Sequence, residues 1–210
     1  LDRRLWSYHV EKNRIHLISN SLELVRRFLR AGGEAPSLAS SPEFVNIRKE
    51  FPADQPSSVF AYFSREFFEN LLTPHYQIEL RRRLKSVTEI EALIMAQSVA
   101  EMESMPTEDF GELRNMGLLP ASFGMRVDGS YPTLVDGEWR DSLRGPRGFL
   151  LPIPDVEVTD VTLEELQGYQ KQAEFFREKW PELDPIVIAL NRKPNPEKGI
   201  EELSFEVRAE

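Results

Sequence analysis

Asp136, Glu138 and Asp141 crowd around Trp139 in one short stretch. Two carboxylates flanking a scissile bond, beside an aromatic platform for a sugar ring, are the parts of a glycosidase. Acids a few residues apart in a loop are common, however, and a catalytic pair usually comes from separate elements, so solvated loop acids are the simpler reading. His9 and His16 can approach one another across a hairpin and begin a metal site. No third ligand lies near them in sequence, and the third histidine, His75, is remote. Arg81-Arg82-Arg83 with Lys85 could receive a phosphate or an acidic headgroup. Consecutive helical residues point about 100° apart, though, so three arginines do not make one flat patch. With Glu79, Glu89 and Glu91 in reach, the run reads as a solvated helix face or an internal ion-pair network. Ser122 lacks both a Gly-x-Ser-x-Gly turn and an identifiable base. Gly32-Gly33 ends a helix where a phosphate or dinucleotide loop would begin one. No catalytic residue, metal set or cofactor fingerprint emerges.

The stretch from Gly117 to Gly148 holds six of the eleven glycines and three prolines, with few apolar runs. A long connection of this kind is usually functional or disordered. It carries Arg126, Tyr131, Trp139, Arg140 and Arg144, residue types that interfaces favour because they bury area while keeping polar handles. These five are the candidate interaction residues. The alternative is a loop folded back over its own sheet, with Trp139 filling its own core.

The elements that must position these groups read as follows. Leu5–Val10 and Ile15–Ile18 form a hairpin. Asn20 caps a helix over 21–31, with Glu23 completing a capping box, and Leu22, Val25, Phe28 and Leu29 on one face. Ser41-Pro42 starts a second helix whose stripe is Phe44, Ile47 and Phe51. A strand at 58–63 is expected in one sheet with 15–18. Ser64 caps a short helix carrying Phe67 and Phe68, and a mostly helical region runs from 75 to 105, with Ser86 and Glu89 as a further capping pair. Phe110–Met116 is a short helix closed by Gly117. Strands are expected at 149–154 and 156–161. A helix opens at Thr162 with Glu165 and ends at Trp180, its stripe formed by Leu166, Tyr169, Ala173 and Phe176. Gly168 interrupts that helix, so Gly168→Ala is expected to stabilise it by roughly 0.8–1 kcal/mol where a methyl group fits. Ile186–Leu190 is a wholly apolar central strand, docked on that helix, and Leu203, Phe205 and Val207 alternate as the last.

The chain has 210 residues, 40% of them hydrophobic, and thirteen Phe, enough for one large domain or two small ones. A net charge of −9 argues against nucleic acid, which demands a basic face. No apolar run approaches the roughly 20 residues that span a bilayer. The absence of cysteine removes disulfides, thiolate catalysis and Cys-ligated metals. The chain begins at Leu1, and Leu1-Asp2-Arg3-Arg4 lacks the apolar core of a signal peptide, which predicts a segment of something longer with any targeting signal outside it.

Several stretches carry a resemblance: Leu17-Ile18-Ser19-Asn20-Ser21; Ala35-Pro36-Ser37-Leu38-Ala39-Ser40 with Pro42-Glu43-Phe44; Pro74-His75-Tyr76-Gln77-Ile78 with Arg81-Arg82-Arg83; Gly117-Leu118-Leu119-Pro120; Phe149-Leu150-Leu151-Pro152-Ile153; Val161-Thr162; and Asp184-Pro185-Ile186. In this order the chain resembles large bacterial proteins of planctomycete type, and its first half also resembles a widespread bacterial domain of unknown function. The resemblance implies an internal piece of an exported or envelope-associated protein and supplies no catalytic residues. The Gly-Pro usual before the Tyr-Gln-Ile region stands here as Thr73-Pro74.

The reading is therefore an α+β fold, a mixed or largely antiparallel sheet with helices packed mainly on one face. Residues 1–210 form one α+β segment of a larger protein, and any sub-boundary falls within 117–148. The leading function is a non-catalytic structural or interaction module that contacts other domains of its chain or another protein. The runner-up is a hydrolase or ligand-binding domain with its site under the 117–148 loop.

Overall fold

Two pairs of residues with positive φ set the local geometry of the first unit. Asn13 and Arg14 (φ 53° and 64°) join β1 (Tyr8–Lys12) to β2 (Ile15–Ser19), and Asp136 and Gly137 (φ 55° and 78°) join β4 (Pro132–Val135) to β5 (Glu138–Asp141). Left-handed residues at both centres match the twist of a tight hairpin, and Asn, Asp and Gly tolerate that conformation best. The structure, a computed structural model, describes residues 7–33, 37–52, 54, 58–146, 151–179, 185–195 and 199–209.

The fold is α+β with antiparallel sheets. Among the described residues there are six α-helices: α1 (Leu22–Arg30), α2 (Pro42–Glu50), α3 (Arg65–Leu71), α4 (Pro74–Met102), α5 (Phe110–Asn115) and α6 (Leu163–Lys179). The remaining strands are β3 (Val59–Phe63), β6 (Ile186–Asn195) and β7 (Ile200–Ala209). The chain divides into two compact units, one of residues 1–26 and 74–169, the other of 27–73 and 170–210. The 117–148 stretch lies wholly within the first.

In the first unit, α4 carries the core. Its buried ridge runs Glu79, Arg82, Arg83, Ser86, Ile90, Leu93, Ala96 and Ala100, a three-and-four spacing that keeps one face inward. Only the second half of that ridge is apolar; Leu93, Ala96 and Ala100 meet Leu113 of α5 with Leu119 and Phe123. Ser86 sits in mid-helix and binds Asp141, so the capping pair expected at Ser86 and Glu89 does not start a helix. Ile94 and Met102 of the expected stripe are exposed.

The start of α1 also differs from expectation. Ser21, not Asn20, is the cap: its Oγ accepts from the Leu24 amide at 3.1 Å. Asp155 reaches the same helix end from far along the chain and accepts from the amides of Leu22 (2.8 Å) and Glu23 (2.9 Å) and from Ser21 Oγ (2.8 Å). A carboxylate satisfies the orphan N–H groups and complements the helix dipole better than an Asn side chain. With Asp155 so engaged and His75 bound to the Val156 carbonyl (2.6 Å), residues 156–161 follow an irregular path and form no strand. Ile153–Asp155 is a 3-10 turn rather than part of a strand.

The other expected caps hold. Ser64 accepts from the Phe67 amide, Pro42 opens α2, and Thr162 with Glu165 forms a reciprocal capping box at α6. Of the α6 stripe, Tyr169, Ala173 and Phe176 are half-buried while Leu166 is exposed. Gly168 has a reason to lack a side chain. An added Cβ would stand 1.9 Å from Arg81 Nη1, and Arg81 Nη2 donates to the Gly168 carbonyl at 2.8 Å. Gly168→Ala must push the guanidinium away, and a charge-assisted hydrogen bond worth about 1.5–3 kcal/mol outweighs a helix gain of about 1 kcal/mol. The variant is expected to melt lower by roughly 2–4 °C in a calorimetric scan, reversing the expectation from propensity. An unchanged or higher Tm would show that the Arg81 contact contributes nothing.

The second unit holds a three-stranded sheet in the order β3-β6-β7. β6 is central, as its apolar run requires, but it extends through Arg192, Lys193 and Pro194 to form a long hairpin with β7. Beyond the five residues paired with β3, β6 is itself an edge, where proline is tolerated. β2 and β3 do not share a sheet: β2 pairs with β1 across a two-residue turn, and β3 pairs with β6. One face of the sheet carries Phe60, Tyr62, Val187 and Ala189, and α2 covers it. Phe44 meets Tyr62 edge-on at 5.1 Å and Phe51 lies 5.9 Å from Phe60. Val187 and Ala189 are fully buried there. Glu43 accepts from the Tyr62 hydroxyl at 2.7 Å, and burial together with that bond pushes the phenol pKa up. The expected strand at 149–154 begins on residues outside those described, as do Leu5 and Trp180.

Candidate functional site

Four arginines and five carboxylates meet where the 117–148 stretch crosses the first half of α4. Glu79 is fully buried and takes a forked pair of bonds from Arg144, Nε to Oε1 and Nη2 to Oε2, both 2.8 Å. Arg83, one helical turn along, donates to the same Oε1 at 2.9 Å. Arg144 is 1% exposed, and it also reaches Asp128 (2.5 Å) and Ser130 Oγ (3.1 Å). Arg126 pairs with Asp141 and donates to Glu89 at 2.8 Å. Arg82 forks onto Glu165 at 2.6 and 3.0 Å and donates to the Asp160 carbonyl at 2.5 Å. Ser86 donates to Asp141 at 2.7 Å, while the amides of Leu143 and Arg144 donate to its other oxygen at 2.8 and 2.7 Å.

Local structure explains why the loop delivers these groups. Asp128 folds an Asx turn by accepting from the Ser130 amide and hydroxyl. The β4–β5 hairpin then places Asp141 at its end, beside Ser86. Forked arginine–carboxylate pairs match in geometry as well as charge, which is what makes a buried cluster tolerable.

The electrostatics are those of a lock. Burial pushes Asp128 up, but bonds from Arg144 and Ser130 overcome it and hold the carboxyl at about 2. Asp141 is likewise raised by burial and then lowered further by the Arg144 amide, Ser86 and the Leu143 amide. Glu165 is lowered chiefly by its bond from Arg82, and the same bond raises Arg82. Burial works against the charge of Arg144, yet Glu79 and Asp128 raise its pKa. A general acid must hold a proton near the working pH, and these carboxyls are tuned the other way.

Their depressed pKa values set an acid limit. On these carboxyls the unfolded chain takes up protons near pH 4 that the folded chain takes up only at lower pH, in the case of Asp128 at about 2, so their contribution to stability is present above that range and is lost as the pH falls through it. Urea midpoints are expected to be level from pH 7 to 5 and to drop steeply between 4 and 2. A midpoint unchanged at pH 2.5 would contradict this.

The sequence-selected residues divide sharply. Arg126 and Arg144 are internal members of the cluster, so their expected role as contact residues gives way to a structural one. Trp139 is half-buried on the core, with its Nε1 bound to Gln97 Oε1 at 2.8 Å and its ring 5.6 Å from Phe110. Arg140 is half-buried, donates to the Val135 carbonyl at 3.2 Å and lies 3.5 Å from Glu138. Tyr131 is 57% exposed. Asp136 and Glu138 are exposed on the hairpin and do not converge with Asp141. His9 Nε2 does lie 3.1 Å from His16 Nδ1, with the rings stacked, but no group of three metal-capable side chains occurs among the described residues. The internal ion-pair reading of Arg82 and Arg83 is the one realised.

A cavity of about 260 Å³ opens beside the cluster, bounded by Arg81, Lys85, Met125, Asp128, Thr162 and Glu164. Sequence reasoning missed Glu79, Asp128, Ser130 and Glu165 as members of one site. Asp136-Gly137, a hairpin signal by composition, could have shown that the stretch folds back and where Asp141 would land. No protein-family model, curated protein or solved structure matches the chain.

Proposed function

We propose that the chain is a non-catalytic structural and interaction module of a larger, envelope-associated bacterial protein, and that its contact surface is the exposed part of the β3-β6-β7 sheet face opposite α2. The envelope setting rests on the resemblance alone. The observation that carries the contact reading is the exposure of Val59, Leu203, Phe205 and Val207, which share that face, at 50–68%. Contiguous large apolar side chains left in water mark interaction surfaces. Support also comes from the ion cluster, where internal partners hold the carboxyls of Asp128, Asp141 and Glu165 below their ordinary range. No described helix is long and apolar enough to cross a membrane.

Replacing Leu203 and Phe205 together by Lys separates a contact face from a missing piece of core. On a contact face the folding free energy should stay within about 0.5 kcal/mol of the parent in urea titration, as for ordinary surface changes. A loss above about 2 kcal/mol would assign both side chains to the fold and end this reading.

The cavity beside the cluster favours a second reading, a site for a small anion under the 117–148 stretch. At about 260 Å³ it is slightly below the usual range for ligand pockets, and Arg82, Arg126 and Arg144 at its wall already hold carboxylates. A rise in Tm with millimolar phosphate or sulfate, abolished by Lys85→Ala, would favour it.

A further inference from the structure

Residues 86–113 hold seven acidic side chains and neither lysine nor arginine, in a chain that has 26 of those two. The second half of α4 lies within them, and there Ile94 and Met102 stand exposed. We infer that this half of α4 and the β4–β5 hairpin form a groove that receives a basic amphipathic helix of a partner. It is a second contact surface, built within the first unit, and it does not depend on the sheet face described above.

The groove has a volume of about 560 Å³, inside the usual range for ligand pockets. Val87, Ile90 and Ile94 line it from α4, and Leu134 and Trp139, a cross-strand pair on one face of the hairpin, line it from the other side. Trp139 Nε1 donates to Gln97 of α4 at 2.8 Å, which fixes hairpin against helix before anything binds. The lining residues of α4 run from Val87 to Glu101, a length of about 20 Å that accommodates roughly four turns of a second helix. Met95, Val99 and Met102, in the next row of α4, are 40–84% exposed and widen the apolar surface. Methionine adapts its shape to irregular docked faces.

Charge selects the occupant. Glu91 and Glu101 on α4, Glu108 before α5 and Glu138 on the hairpin also line the groove, and no lysine or arginine does. Among the described residues the side chains of Glu91, Glu101 and Glu108 make no ion pair or hydrogen bond, while Glu138 lies 3.5 Å from Arg140. These acids sit on separate elements, and no three metal-capable groups converge among the described residues, so the charge is spread for an extended cation. An apolar floor with acids on both sides matches a helix whose apolar stripe is flanked by Lys or Arg. Opposite charge along the rim steers encounter and fixes the orientation of the partner. The cavity at the other end of α4 is bounded by arginines and Lys85, so the helix is not acidic throughout.

The probe is a fluorescein-labelled peptide of about 16 residues, with leucine at amphipathic helical spacing and lysine elsewhere, read by anisotropy as the chain is added. Binding should be micromolar, at least tenfold tighter than for the same residues shuffled to break the spacing. It should weaken at least fivefold between about 0.05 and 0.3 M salt. Glu91→Lys with Glu101→Lys should weaken it at least tenfold and Ile94→Gln at least fivefold, with circular dichroism confirming the fold of each variant. Because the chain carries a net charge of −9, bulk attraction needs its own control. Glu174→Lys with Glu178→Lys makes the same charge change on exposed residues of α6 and should leave binding within about twofold. Equal loss from the two charge reversals, equal binding of the shuffled peptide, or no binding at all overturns the inference. So does binding that survives the groove variants and is lost in Leu203→Lys with Phe205→Lys, which would place the peptide on the sheet face.

Discussion

Arg144→Ala is expected to cost about 3–5 kcal/mol of folding free energy at pH 7, a large part of the stability of an ordinary domain. Arg144 is 1% exposed and its guanidinium serves Glu79, Asp128 and Ser130 at once, while its amide serves Asp141. Truncation leaves Glu79 fully buried with Arg83 as its remaining donor in the cluster, and leaves Asp128 without its strongest donor. An uncompensated buried carboxylate is what makes such a loss large; the pair itself need not have stabilised the fold over an apolar alternative. Arg144→Lys should recover only part of the cost, because a single ammonium cannot fork onto Glu79 and reach Asp128 as well. The acid response should change too. Asp128 loses the bond that lowers it, so the variant's stability should depend less on pH between 4 and 2. Urea titrations at pH 7 and pH 3 measure both effects. A cost under about 1 kcal/mol at pH 7 would mean that water replaces Arg144 without penalty and that the cluster is no lock.

The fold was legible wherever a local signal decided the outcome. Ser64, Pro42 and the Thr162–Glu165 box start helices where their chemistry says they should, and the apolar run at Ile186 takes the central strand. Readings failed where a partner distant in sequence displaced the local one. Asn20 and Glu23 make a respectable capping pair, but Asp155 arrives with two oxygens for the same amides. Ser86 and Glu89 look like a helix start, but Asp141 and Arg126 claim them in mid-helix. The candidate site was illegible for a related reason. A ridge of Glu79, Arg82, Arg83 and Ser86 has the same composition whether it faces water or buried counter-charges, and periodicity of charge alone does not tell which. The arginines that resolve it, Arg126 and Arg144, lie on a stretch whose glycines suggest mobility but instead supply tight turns, with positive φ at Gly124, Gly129, Gly137 and Gly145.

Trp139→Ala decides whether the 117–148 stretch is a contact loop or part of the unit that holds it. Its indole rests on the cluster formed by Leu93, Leu113 and Phe123, is tilted against Phe110, and donates to Gln97 on α4. Removing a fully buried Trp costs about 3–5 kcal/mol, and since Trp139 is only half-buried the expected loss is about 2–4 kcal/mol. Trp139→Phe should retain most of the ring contact and lose about 1 kcal/mol with the Gln97 bond. The two substitutions therefore separate packing from hydrogen bonding at one position. The cost follows from topology: β5 carries Trp139 toward the apolar half of α4 and Asp141 toward the polar half, so one short strand fastens the stretch to both. Urea unfolding followed by circular dichroism at 222 nm measures the loss without relying on indole fluorescence. A cost below about 1 kcal/mol for Trp139→Ala would show that the side chain is expendable to the fold, and would return it to the role of a contact residue. A cost in the expected range leaves Tyr131 as the exposed aromatic of the stretch and puts the weight of contact on Leu203, Phe205 and Val207.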